Sequence, residues 1–344
     1  MSVPTWVWLV TVAAVLAMFV LDFYAHVRTP HFPTFSESAT WSAVYIGLAL
    51  LFGVGVWLVW SPEHGAEYLA GYVTEKSLSV DNLFVFLIIM TRFRVPRDYQ
   101  QKVLLVGVGI ALVLRGLFIW AGAAAIENFS WVFYLFGAFL VYTAVKLATQ
   151  DHDDPDDAAA QYDNRLLRLV RRVIPSTEIY HEDKLTVRIG GRRAMTPMLV
   201  VMIAIGSTDV LFALDSIPAI YGLTVEPYIV FTTNAFALLG LRQLYFLLGG
   251  LLERLIYLSQ GLAVILGFIG VKLVLQALNG NEVPFINGGR PVEWAPHVPI
   301  SVSLSVILGT LVVATVASLT VTRRRARVAA RALAGTTAEA EEER

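Results

Sequence analysis

The chain has 344 residues, of which 56% are hydrophobic and 15% charged, with a formal net charge of -1. So little polar surface cannot clothe a soluble domain of this length, and a near-neutral balance offers no basic footprint for nucleic acid. With no cysteine, disulfides, thiolate metal sites and cysteine nucleophiles are excluded.

Apolar runs long enough to cross a bilayer recur along the chain at 6–26, 41–60, 67–91, 103–124, 130–148, 197–220, 227–248, 255–278 and 299–321. They predict an all-α polytopic membrane protein of about nine transmembrane helices. Trp6, Trp8, Trp41, Trp57, Trp60 and Trp120 fall near the ends of these runs, at the headgroup level where indole rings settle. No positive residue precedes the first run and no small-residue cleavage pattern follows Asp22, so it reads as a retained span and not as a signal peptide.

Arg92, Arg94, Arg97 and Lys102 lie between the third and fourth runs. Arg165, Arg168, Arg171, Arg172, Lys184, Arg188, Arg192 and Arg193 lie between the fifth and sixth, and Arg323, Arg324, Arg325, Arg327 and Arg331 follow the ninth. Segments 61–66, 125–129 and 221–226 hold no Lys or Arg. By the positive-inside rule the N-terminus is outside and the C-terminus cytoplasmic, in a cell (plasma) membrane; Arg28 and Arg254 are minor votes. The loop 151–196 opens on an acidic run at 151–157 and then turns basic, which reads as a solvated linker with a short basic helix. The tail 322–344 reads as disordered.

The chain repeats itself. Glu75-Lys-Ser-Leu-Ser-Val-Asp81-Asn82 matches Asp209-Val-Leu-Phe-Ala-Leu-Asp215-Ser216, and Leu-Arg115-Gly-Leu-Phe matches Leu-Arg242-Gln-Leu-Tyr. Glu127 precedes Lys146 by 19 residues, as Glu253 precedes Lys272. Two N-terminal helices (1–66) thus lead into a three-helix repeat at 67–150, the charged loop, and a second repeat within 197–278; an outer loop and a last helix fill 279–321. The loop charges give the copies opposite orientations, the inverted three-helix repeat of secondary transporters, whose substrate sites lie near the midplane.

Glu75, Asp81, Asp209 and Asp215 stand inside predicted spans, and Asp22 near the inner end of the first. Each costs roughly 2.5–3.5 kcal/mol at the centre of an isolated helix, so they must be paired, hydrated or bound to a cation. At 100° per residue Glu75, Ser79 and Asn82 share one stripe, as do Asp209 and Ser216. Pro218 frees the carbonyl of Leu214 from its helical hydrogen bond. An all-oxygen pocket suits a hard divalent ion such as Mn²⁺, Ca²⁺ or Mg²⁺. The competing expectation is structural: Arg115, Arg242, Lys146, Lys272 and Lys76 would simply neutralise the acids. No hydrolase, zincin or phosphate-loop motif is present, so the expectation is of no enzyme and no prosthetic group.

Glu75-Lys-Ser-Leu-Ser-Val-Asp-Asn-Leu-Phe-Val-Phe, Phe212-Ala-Leu-Asp-Ser-Ile-Pro-Ala-Ile and Thr233-Asn-Ala-Phe-Ala-Leu-Leu-Gly-Leu-Arg resemble the TerC family of integral membrane proteins, grouped with the LysE-like transporters. The resemblance implies export of a divalent metal, foremost Mn²⁺, with a historical link to tellurite resistance. It implies a metal site at Glu75, Asp81, Asn82, Asp209, Asp215 and Ser216, with Asp22 as an accessory acid. One departure is Gly206, where many relatives carry a Glu. A plastid branch of the family is associated with membrane-protein assembly, so a non-transporting scaffold is the alternative. The partners implied are the lipid bilayer and the metal ion.

Overall fold

The computed structural model describes residues 1–26, 33–129, 131–149, 180, 184–189, 192–248, 255–284, 286–292 and 294–342. The acidic run 151–157, most of the basic loop, Arg28, Glu253 and Arg254 lie outside the described residues, as do the side chains of Asp81 and Glu127. The helices are α1 Thr5–His26, α2 Phe35–Val59, α3 Pro62–Arg92, α4 Arg97–Asn128, α5 Val132–Thr149, α6 Pro197–Tyr221, α7 Pro227–Leu238, α8 Leu241–Leu248, α9 Leu258–Asn279 and α10 Ile300–Glu342.

Their starts follow from local chemistry. Pro62, Pro197 and Pro227 each occupy the first turn, where a missing N–H costs nothing. Ser61 accepts from the amide of His64 and Thr34 from that of Glu37, each satisfying an orphan donor. Among the described residues, seven helices are long and apolar enough to cross a membrane: α1, α2, α4, α5, α6, α9 and α10. The other two predicted spans depart from that pattern for different reasons. At 31 residues α3 is long enough to cross (about 46 Å at 1.5 Å per residue), but it carries Glu63, Glu67, Glu75, Lys76 and Asp81. The run 227–248 is not one helix: it breaks between α7 and α8, where Gly240 has φ +81°.

One further expectation, that of a disordered tail, is corrected. Within the loop, Thr186–Ile189 and Arg192–Met195 form an antiparallel hairpin, β1 and β2, with Thr186 opposite Met195; the stretch with Arg165, Arg168, Arg171 and Arg172, and the short basic helix expected in this loop, lie outside the described residues. Thr186, Val187 and Ile189 are β-branched and suit a pleated strand. The tail is helical as far as Glu342, in keeping with a composition of Ala, Arg and Glu, all strong helix formers. Tyr180 donates to the carbonyl of Phe93 at 2.8 Å, and burial pushes its hydroxyl up to about 12.

Packing within the bundle is reciprocal: α3 lies on α7, α4 on α6, α5 on α9, and α3 also on α6. Leu83, Phe86, Val103, Leu104, Met198 and Ile205 form one core across α3, α4 and α6; Leu140, Leu262, Ile265 and Ile269 form another across α5 and α9. The opposite faces carry exposed Leu9, Leu51, Leu58, Val113, Trp120 and Val313. Such a surface requires an apolar solvent.

The α5–α9 crossing is closed by glycines. A Cβ on Gly270 would stand 3.0 Å from the carbonyl oxygen of Gly137 and 3.0 Å from the amide of Val141, which are backbone atoms that cannot rotate away. Gly270→Val is therefore expected to force the helices apart and cost about 1–3 kcal/mol or more. Unfolding in detergent checks this; a stability equal to wild type would refute the close approach.

Candidate functional site

Arg115, 1% exposed, projects from the middle of α4 and gathers polar groups from three other helices. Its Nη1 donates to Glu75 Oε1 from α3, to Ser216 Oγ from α6 at 3.2 Å and to Asn234 Oδ1 from α7 at 3.0 Å. Its Nε and Nη2 grip both oxygens of Asp209 from α6, at 3.3 and 3.2 Å, the fork geometry that only guanidinium offers a carboxylate. Glu75 also accepts from Ser79 one turn along, at 3.4 Å. Its other oxygen, Oε2, is buried with no hydrogen-bond partner among the described residues. With both acids ionised, two carboxylates face one guanidinium, leaving one negative charge in a cluster closed to solvent.

Glu75, Asp209 and Ser216 are thus brought together, and by an arginine. Among the described residues no group of three or more His, Asp or Glu is placed to hold a metal. Asn82 is buried on the same helix as Glu75. Asp215, half-buried, accepts from Thr143 of α5 at 3.1 Å, with the Lys146 charge nearby. Lys272 is buried within reach of the Glu67 charge, and Glu67 accepts from Thr224 at 2.7 Å. Lys76 donates to the carbonyl of Ala237 at 3.0 Å, one of the orphan acceptors at the broken end of α7. Gly206 packs on Ile110, whose Cγ2 would stand 3.2 Å from an added Cβ.

Asp22 and Arg242 form a second cluster. Asp22 Oδ1 accepts from Arg242 at 2.8 Å, from Gln243 at 2.9 Å and from Tyr45 at 3.1 Å. Arg242 also donates to Gln101 at 2.5 Å. Both repeat-matched arginines are therefore paired with acids, Arg115 with Glu75 and Asp209, and Arg242 with Asp22. Sequence reasoning missed Asn234, Gln101, Gln243 and Tyr45. Asn234 sits inside the Thr233-Asn-Ala-Phe motif and Gln243 inside the repeated Leu-Arg-Gln-Leu-Tyr, and both could have been found there; Gln101 and Tyr45 carry no local signal.

The model for the integral membrane protein TerC family matches residues 60–326. The chain belongs to the TerC family. An uncharacterized membrane protein of Mycobacterium tuberculosis (strain H37Rv) is 50% identical over 322 residues, covering 93% of this chain and 80% of its own. One of Myxococcus xanthus, also uncharacterized, is 42% identical over 314 residues and 91% of each chain. A relative of Escherichia coli (strain K12), named as a candidate membrane-bound redox modulator, Alx, is 41% identical over 293 residues, 83% of this chain and 85% of its own. No solved structure matches the chain.

Proposed function

We propose that this TerC protein is a secondary transporter that exports a divalent cation, foremost Mn²⁺, across the plasma membrane, with its N-terminus outside and its C-terminus cytoplasmic. The observation that carries this reading is that two buried carboxylates, Glu75 and Asp209, share the one guanidinium of Arg115, while Glu75 Oε2 is buried with no hydrogen-bond partner among the described residues. A buried anionic oxygen calls for a cation or a proton. The surrounding donors of Asp209, Ser216 and Asn234 are all oxygen, which selects a hard ion. The reciprocal packing of α3, α4 and α5 on α7, α6 and α9 supports two inverted units meeting at this site, and the broken α7–α8 segment is the kind of discontinuity that lines transporter pathways. Asp81, Asn82 and Asp215 belong to the same site in this reading, as positions the ion visits in another state of the carrier.

The protein acts here as a carrier and not as an enzyme, with no prosthetic group; the ion is cargo. The name of the Escherichia coli relative points to redox. With no cysteine this chain offers no thiol couple, so a redox effect would run through the ion carried. A link with tellurite resistance would likewise be indirect, because an oxyanion is repelled by an acidic site.

A second reading, a non-transporting scaffold, is favoured by the pairing of both Arg115 and Arg242 with acids. One experiment separates the two: ⁵⁴Mn²⁺ flux in proteoliposomes, wild type against Glu75→Gln. Wild-type flux that falls more than about tenfold in the variant, the scale of losing one charged contact, supports the exporter. Folded wild-type protein that moves no Mn²⁺ supports the scaffold.

A further inference from the structure

Resting on the export reading, we propose that Arg115 is a tethered counter-cation: its guanidinium takes the cargo's place on Glu75 and Asp209 while the carrier is empty, and lets the empty carrier reorient.

Three features of the site lead there. The oxygens Arg115 holds, from Glu75, Asp209, Ser216 and Asn234, are those a hard cation would take, so ion and guanidinium compete for one donor set. The side chain is 1% exposed and comes from α4, whereas the carboxylates come from α3 and α6, so moving it need not move the acids. Among the described residues Glu75 Oε2 is left without a partner, an acceptor on which an arriving ion can land before the arginine lets go.

The physical consequence concerns the return step. Two bare carboxylates inside the bilayer are costly, and a carrier that has released its ion would stall unless something neutralised them. A guanidinium on a side-chain tether does so at once, without a counter-ion from solution. The same competition weakens ion binding, because the ion meets a site whose competent, arginine-free form is a minor population.

The test compares net ⁵⁴Mn²⁺ flux with Mn²⁺/⁵⁴Mn²⁺ exchange in proteoliposomes for wild type, Arg115→Lys and Arg115→Gln. Exchange needs no empty reorientation; net flux does. The expected result is a ratio of net flux to exchange that falls at least about tenfold in Arg115→Gln and less in Arg115→Lys, as the population of neutralised empty carrier shrinks. If Arg115→Gln does not reconstitute, Arg115→Lys decides. Purified protein in detergent gives a second reading: Mn²⁺ is expected to raise the unfolding temperature more in the variants than in wild type, because the competitor is gone. A wild-type ratio in the variants, with no greater stabilisation by Mn²⁺, overturns the proposal and leaves the export reading intact. Neither flux nor exchange from folded wild type overturns the export reading itself.

Discussion

Arg115→Met is expected to lower the stability of the fold by about 3–5 kcal/mol, the cost of stripping one partner from a buried ion cluster. The thioether fills part of the volume but donates nothing. Asp209 then loses a two-point contact at 3.2 and 3.3 Å, and among the described residues Glu75, whose Oε2 is already without a partner, loses its only cationic contact. Ser216 and Asn234 lose a donor as well. The same substitution in a Glu75→Gln, Asp209→Asn background is expected to cost far less, since no buried charge is then left bare. Unfolding of the four proteins in mixed detergent reads the coupling. A loss that persists undiminished in the neutral background would mean that Arg115 acts through its volume and not its charge.

Much of this cluster was legible in the sequence, because the grammar of a membrane protein is coarse. A charge in an apolar run is conspicuous, and helical periodicity alone put Glu75 on the stripe of Ser79, its hydrogen-bond partner. That Arg115 would neutralise acids was one of the two readings the same scarcity allowed, beside a cation site. Which acids each arginine would meet did not follow. Arg115 and Arg242 occupy matching places in the two repeats, yet one sits among Glu75 and Asp209 and the other on Asp22, outside both repeats. The pairing depends on where α1 docks, a tertiary fact with no local signature. The break at Gly240 was likewise hidden, since an apolar run with one glycine reads as a continuous span until the backbone shows φ +81°. The tail erred the other way: its polarity suggested disorder, while the helix propensity of its Ala, Arg and Glu residues outweighed that signal.

The second large effect is expected at Asp22 and Arg242, which tie α1 and α2 to α4 and α8. Asp22 Oδ1 collects three donors, from Arg242, Gln243 and Tyr45, and Arg242 reaches on to Gln101 at 2.5 Å. Asp22→Asn leaves a guanidinium, 4% exposed, with a neutral partner and an Nε that has none; the expected cost is about 3 kcal/mol. Arg242→Gln removes the guanidinium that Asp22 meets at 2.8 Å, for a similar loss. Because the two act as a unit, Asp22→Asn with Arg242→Gln is expected to cost less than the sum of the singles by about 1–3 kcal/mol. The geometry that makes the pair is set by the backbone. Gly240 turns the chain so that α8 starts on a new axis, and Arg242, two residues on, points at Asp22 rather than along the line of α7. A side chain at Gly240 would be strained at φ +81° and would meet Tyr45 Cβ at 2.9 Å, displacing the residue that also bonds Asp22. Gly240→Ala should therefore weaken the same pair from a distance, and in that background Asp22→Asn should cost less than it does in wild type. Additive losses at Gly240 and Asp22 would show instead that the break and the ion pair are independent features of the fold.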